Sequence, residues 1–77
     1  MWEEKDGVLY RKFEFKDFKQ AFDFMKRVAD LAERQNHHPK WANEYSKVEI
    51  WLSTHGTGQI TDKDRQLAKA IDDIENA

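Results

Sequence analysis

The chain has 77 residues, and its 15 acidic and 13 basic side chains give a formal net charge of −2 with neutral histidines. This length predicts a single domain over residues 1–77, and the near balance of charge argues against nucleic-acid binding. The absence of cysteine excludes disulfides and thiolate metal sites, and no apolar run approaches the roughly 20 residues that a membrane-spanning helix needs. We therefore expect a cytoplasmic protein without membrane contact, whose small core is supplemented by homo-oligomerisation.

The first elements in the chain are two predicted strands. Residues 8–15 alternate apolar and polar side chains, which is the pattern of a half-buried strand. The Asp-Gly pair at 6–7 favours a tight hairpin turn, so residues 2–5 are predicted to pair with this strand.

A helix is predicted next. Over residues 18–34 the apolar period changes to about 3.6, with Asp17 as N-cap and Gln20 placed to close a capping box. Phe24 and Leu31 lie beside the main apolar stripe and widen it. Such a width fits either a broad core face or a helix that covers the sheet on one side and touches a second chain on the other.

The second half of the chain repeats this order. Residues 41–45 and 48–54 are predicted to form a hairpin around 46–47, and Thr61 with Asp64 matches the capping box that starts a final helix. The predicted fold class is therefore α+β, a four-stranded antiparallel sheet with helices packed on one face, in the order β-β-α-β-β-α.

All three histidines lie at the predicted ends of elements. His37 and His38 follow the first helix and precede Pro39, while His55 ends the last strand before a glycine-containing turn at 56–58. Histidine can transfer protons in both directions near neutral pH, so a catalytic cleft is one interpretation. The other interpretation is that the three histidines are only polar residues at the ends of a helix and a strand. A zinc site is disfavoured because adjacent histidine side chains usually diverge.

Asp64 and Trp41 also have two interpretations each. Asp64 either caps the last helix or, since it extends the apolar stripe of that helix inwards, orients a histidine or a bound heterocycle. Trp41 either belongs to the core or forms a flat wall for a planar ligand.

Taken together, these residues resemble a known family. The stretch 33–45 contains an acid, His-His-Pro, Trp, Asn and Tyr at the spacings of the pterin-4a-carbinolamine dehydratases. The resemblance continues through 47–50 and 52–55, through selected positions between 58 and 68, and upstream through selected positions between 13 and 25, so it covers nearly the whole chain. Gln59 departs from the family pattern, which has a small or apolar residue at this position. The chain begins where the first strand of that family would begin, so its usual leading helix is expected to be absent.

The resemblance implies a fold, a reaction and a state of assembly. The family has an antiparallel four-stranded sheet with helices on one face and forms dimers or tetramers. Its members remove water from a 4a-hydroxytetrahydropterin and form the quinonoid dihydropterin, which is recycled to the tetrahydropterin. Because the pterin is the substrate, the resemblance implies no metal and no organic cofactor.

The resemblance also implies a site. His37 and His55 would be the main proton-transfer groups, His38 a binding partner, and Asp64 would orient a histidine, in the first place His55. The substrate-binding set that the resemblance implies is Glu33, His37, His38, Pro39, Trp41, Thr54, His55, Gly56 and Thr57.

A different class of function remains as an alternative. Some members of the family serve as dimerisation cofactors of a homeodomain transcription factor, through the helical surface that otherwise mediates self-assembly. Here the helix face with Phe24 and Leu31 would bind a helical protein partner, as a non-catalytic interaction module or transcriptional coactivator.

Overall fold

The computed structural model describes residues 1–76, which form one four-stranded antiparallel sheet and two helices. In chain order the elements are β1 (Glu3–Lys5), β2 (Val8–Glu14), α1 (Phe18–Gln35), β3 (Lys40–Glu44), β4 (Lys47–Leu52) and α2 (Asp62–Glu75). The strands lie in the order β1-β2-β4-β3, so the two hairpins join where β2 pairs with β4. The predicted fold class and element order are confirmed.

One face of the sheet carries the core. Successive side chains of a strand point to opposite faces, so every second residue of β2 and β4 faces the helices. The other face presents Tyr10, Glu49 and Trp51, which are only partly buried. The buried apolar cluster consists of Leu9, Phe13, Ala21, Phe24, Val28, Val48, Ile50, Leu52, Leu67, Ala68 and Ile71.

The first hairpin turns at Asp6 and Gly7, as predicted. Both residues have positive φ, 55° and 77°, which a two-residue turn with right-handed strand twist requires. Gly7 has a second reason to be glycine, since a Cβ at this position would lie 2.2 Å from the carbonyl oxygen of Gly58. The hairpin turn therefore packs directly against the loop that follows β4.

The second hairpin turns one residue earlier than predicted. Glu44 pairs with Lys47, so the turn consists of Tyr45 and Ser46, and Tyr45 takes a left-handed φ of 53°. The amide of Asn43 explains this position, because its Nδ2 donates to the backbone oxygens of Tyr45 (3.2 Å) and Lys47 (2.9 Å). Asparagine at the end of the strand thus holds a turn that the apolar alternation alone did not locate.

Helix α1 begins as predicted. Its N-cap Asp17 accepts a hydrogen bond from the backbone nitrogen of Gln20 at 2.9 Å. The Gln20 side chain accepts from the backbone nitrogen of Lys16, not from that of the N-cap residue itself.

Of the two interpretations of the wide apolar face, the broad core face is correct, and Phe24 and Leu31 do not form a surface for a second chain. Phe24 is 5% exposed and its ring stands 4.8 Å from that of Phe13, while Leu31 packs against the core. Phe18 and Phe22 are left outside, stacked on each other and 48% and 46% exposed.

Neither of the helices within residues 1–76 combines the length and the apolar character needed to cross a membrane.

Candidate active site

The end of α1 directs His37 into the protein. Asn36 adopts a left-handed conformation with φ 50°, which asparagine tolerates better than most residues. The backbone nitrogen of His37 then bonds to the carbonyl oxygen of Ala32 at 3.0 Å and closes the helix terminus. The chain reverses at this point, and the imidazole of His37 is left 9% exposed.

His37 meets Asp64, the third residue of α2. The His37 Nε2 lies 2.5 Å from the Asp64 Oδ1, and Asp64 is fully buried. The predicted inward orientation of Asp64 is therefore confirmed. Its histidine partner is His37 and not His55, which corrects the first choice made from the resemblance.

Asp64 also performs the capping role that was the alternative prediction. Its Oδ2 accepts from the backbone nitrogen of Thr61 at 2.9 Å and from the Thr54 hydroxyl at 2.8 Å. Burial alone would raise the pKa of this carboxyl, but the hydrogen bonds from His37, Thr61 and Thr54 outweigh it and hold the pKa below the ordinary value of 3.8. Asp64 is thus a buried carboxylate at neutral pH.

His38 points the other way, as expected for the neighbour of an inward residue. Its Nε2 lies 2.6 Å from the Glu33 Oε2 on the last turn of α1, and both side chains are exposed. Glu33 therefore holds the ring of a surface histidine.

A cleft of about 360 Å³ opens between the chain after α1 and the chain after β4. His55 is exposed in its wall, and no hydrogen bond to its ring is found within residues 1–76. A volume of this size is at the lower end of small-molecule sites. The cleft is lined by Val8, His38, Pro39, Lys40, Trp51, Ser53 and His55.

Several predicted binding residues lie outside this lining. Trp41 pairs across the sheet with Ile50 and packs against the core, so the core interpretation is the correct one. Thr54 lies behind the cleft, with its hydroxyl on Asp64. The Thr57 hydroxyl is used inside its own loop, where it donates to the Thr54 backbone oxygen at 2.9 Å. Gly56 is exposed in the same loop.

The sequence contained a signal for the lining residues that were missed. Trp51 and Ser53 have the same parity as His55, opposite to the inward residues of β4, and this places them on the face towards which His55 points. Lys40 is the register partner of Trp51 on β3. Trp41 is nearer to Pro39 along the chain, but Trp51 is the tryptophan that lines the cleft.

No cluster of three or more histidine, aspartate or glutamate side chains that could hold a metal ion is found in the described part of the chain. The described residues thus provide a cleft lined by two histidines, and a third histidine that is paired with a buried carboxylate.

Comparison with known proteins gives this geometry a context. The family described as Pterin 4 alpha carbinolamine dehydratase matches residues 1–74. The chain belongs to that family. A protein from Synechococcus sp. (strain WH7803) that is provisionally named as a pterin-4-alpha-carbinolamine dehydratase is 52% identical over 71 residues, which are 92% of this chain and 76% of the relative. One from Rhodospirillum rubrum with the same provisional name is 58% identical over 67 residues, 87% of this chain and 70% of the relative.

Solved structures share the fold. A transcriptional coactivator/pterin dehydratase from Brucella melitensis superposes with a TM-score of 0.90 at 39% identity, over 95% of this chain and 80% of that one. A pterin dehydratase-like protein that is a RuBisCO assembly factor in the alpha-carboxysome superposes with a TM-score of 0.82 at 22% identity, over 100% of this chain and 89% of that one. The second likeness shows the fold alone.

Proposed function

We propose that this protein dehydrates a 4a-hydroxytetrahydropterin to the quinonoid dihydropterin in the recycling of tetrahydropterins. The observation that carries the proposal is a cleft lined by His38 and His55, with the adjacent residue His37 paired to the buried carboxylate of Asp64. In the reaction the C4a–O bond breaks and the hydroxyl leaves as water after gaining a proton. N5 loses its proton, and a double bond forms between C4a and N5.

His37 is suited to accept a proton. The Asp64 carboxylate takes a hydrogen bond from the Nε2–H of His37, which fixes the tautomer and leaves Nδ1 as the nitrogen that can bind a proton. When His37 becomes an imidazolium, the buried carboxylate beside it stabilises the new charge. This arrangement supports His37 as the group that removes the proton and Asp64 as a positioning residue.

His55 is suited to donate a proton to the leaving hydroxyl. It stands in the wall of the cleft and is exposed, so it can exchange protons with solvent between turnovers. His38, held by Glu33 at 2.6 Å, would bind the substrate from the same wall. Well-placed acid and base groups of this kind contribute about 10²–10⁴-fold to a rate.

Turnover by matched variants tests the assignment of Asp64 and His37. Asp64→Asn should lower kcat more than it raises KM, because the imidazolium that His37 becomes during proton removal loses its counter-charge. Asp62→Asn, at an exposed position in the same helix turn, is the matched control and should leave both constants unchanged. A His37→Ala variant that folds and retains full activity would exclude His37 as the base.

A second candidate function rests on the stacked pair Phe18 and Phe22 on the outer face of α1. Two large apolar side chains that are each nearly half exposed suit a protein interface. Phe18 and Phe22, not Phe24 and Leu31, are therefore the candidate surface for a helical partner or for self-assembly. If they mediate self-assembly, a Phe22→Asp variant should lower the mass of the homo-oligomer measured by light scattering. An unchanged mass would exclude this pair as the self-assembly interface.

A further inference from the structure

Four cross-strand partners form a row on the open face of the sheet. Glu3 pairs with Tyr10, Tyr10 with Trp51, and Trp51 with Lys40, so the row crosses all four strands. Directly opposed residues in antiparallel strands point to the same face, so these side chains are neighbours. At one end of the row Lys40, on the edge strand β3, lines the histidine cleft. At the other end Glu3 lies on the opposite edge strand, β1.

A second cavity lies over this row. Its volume is about 660 Å³, and it shares Val8 and Trp51 with the histidine cleft. The two spaces therefore adjoin along one wall. The lining of this cavity, here called the edge groove, is Glu3, Glu4, Lys5, Asp6, Val8, Tyr10 and Trp51.

The floor of the edge groove is aromatic and held in place. The Tyr10 and Trp51 rings stand 5.4 Å apart, and the Lys40 ammonium lies 5.5 Å from the Trp51 ring centroid. The Tyr10 hydroxyl donates to the Glu49 carboxylate at 2.6 Å. Trp51 is thus flanked on both sides, and its indole forms a fixed surface between the cleft and the groove.

The rim of the edge groove is rich in hydrogen-bond acceptors. Glu3 and Asp6 contribute carboxylates against the single ammonium of Lys5, while the carboxylate of Glu4, whose register partner is the buried Leu9, lies 3.4 Å from Arg65 on α2. Carboxylates accept hydrogen bonds from hydroxyl groups and repel anions. The groove therefore suits an uncharged group that carries several hydroxyls.

From these contacts we propose that the edge groove binds the C6 substituent of the pterin, with Trp51 as the specificity-determining residue between ring and substituent. This rests on the proposed function, which places the pterin ring in the histidine cleft. The groove then selects pterins with an uncharged hydroxylated substituent over those with a methyl group or a phosphorylated substituent.

Three 4a-hydroxytetrahydropterins that differ only at C6 test this selection: 6-methyl, 6-polyhydroxyalkyl and its phosphate ester. Glu3→Ala should raise KM about tenfold for the polyhydroxyalkyl substrate, with kcat unchanged, and should leave the 6-methyl substrate unaffected. Trp51→Thr should raise KM for the polyhydroxyalkyl substrate more than for the methyl one. Glu44→Ala, at the far end of the sheet, is the control. Glu3→Lys should improve the phosphate ester.

Equal effects of Glu3→Ala on the methyl and polyhydroxyalkyl substrates, or no effect on either, would overturn the inference while the proposed function stood. A folded wild type that dehydrates none of the three would instead refute the proposed function. The stable 7,8-dihydropterins with the same substituents test binding in the edge groove independently of turnover. Their binding is measured by the quenching of tryptophan fluorescence. Wild type should bind the hydroxylated compound most tightly, and equal affinity for the methyl and hydroxylated compounds would refute the groove.

Discussion

Replacement of Asp64 by asparagine should destabilise the protein far more than the same change two residues earlier. Asp64 is fully buried and accepts from three donors, whereas Asp62 is exposed in the same helix turn. Hydrogen bonds to a charged group are worth about 1.5–3 kcal/mol each, and asparagine retains one acceptor oxygen but turns an amide towards a donor. We expect Asp64→Asn to lower the free energy of unfolding by about 3 kcal/mol and Asp62→Asn by less than about 0.5 kcal/mol.

The pH dependence of this difference follows from the lowered pKa of Asp64. A group whose pKa is lower in the folded than in the unfolded chain stabilises the fold above its unfolded pKa, and this contribution is lost as the pH falls through the folded pKa. The difference between wild type and Asp64→Asn should therefore shrink as the pH falls below the ordinary value of 3.8.

Urea unfolding monitored by tryptophan fluorescence at several pH values measures these differences. The wild type should unfold at a higher urea concentration than Asp64→Asn at pH 7, and the two transitions should approach each other at pH 3. Equal stability of the Asp64→Asn and Asp62→Asn variants at pH 7, or a gap that is the same at pH 7 and pH 3, would refute the charged, buried network.

Two further predictions concern the sheet and its loops. Gly7→Ala should lower the melting temperature much more than Gly56→Ala does. Both sites have positive φ, but only a Cβ at Gly7 would collide with the carbonyl oxygen of Gly58, so equal losses in the two variants would contradict this contact. Tyr10 should ionise at about 12 in a spectrophotometric titration, because its hydroxyl donates to Glu49, and Glu49→Gln should return its pKa towards 10.0; an unchanged pKa in that variant would remove the hydrogen bond as the cause.

The fold could be predicted because its local signals agree with one another. The turn at Asp6-Gly7, the cap at Asp17 and the alternation of β4 each specify the element that the structure shows. The errors arose where two elements meet. Helical periodicity left open whether Phe24 faces the core or a second chain. The structure buries Phe24 and leaves Phe22 exposed, which depends on the rings that fit against the sheet, a tertiary property that periodicity does not contain.

The candidate site was predictable in its residue types and less so in its pairing. Asp64 was expected to face inwards and to orient a histidine. Its partner depends on the left-handed turn at Asn36, after which His37 reaches Asp64 on α2, whereas His55 lies beyond the end of β4 and lines the cleft. Trp51 could have been recognised from the parity of β4, whereas its contact with Lys40 required the register of β3 against β4.

The rate of 4a-hydroxytetrahydropterin dehydration tests the central claim most directly. The substrate is generated in situ and its loss is followed by absorbance, with wild type beside His37→Ala, His55→Ala and the double variant. The account predicts acceleration by the wild type and a loss of about 10²–10⁴-fold in each folded single variant, with little further loss in the double variant. No acceleration by folded wild type, or full activity in the double variant, would contradict it.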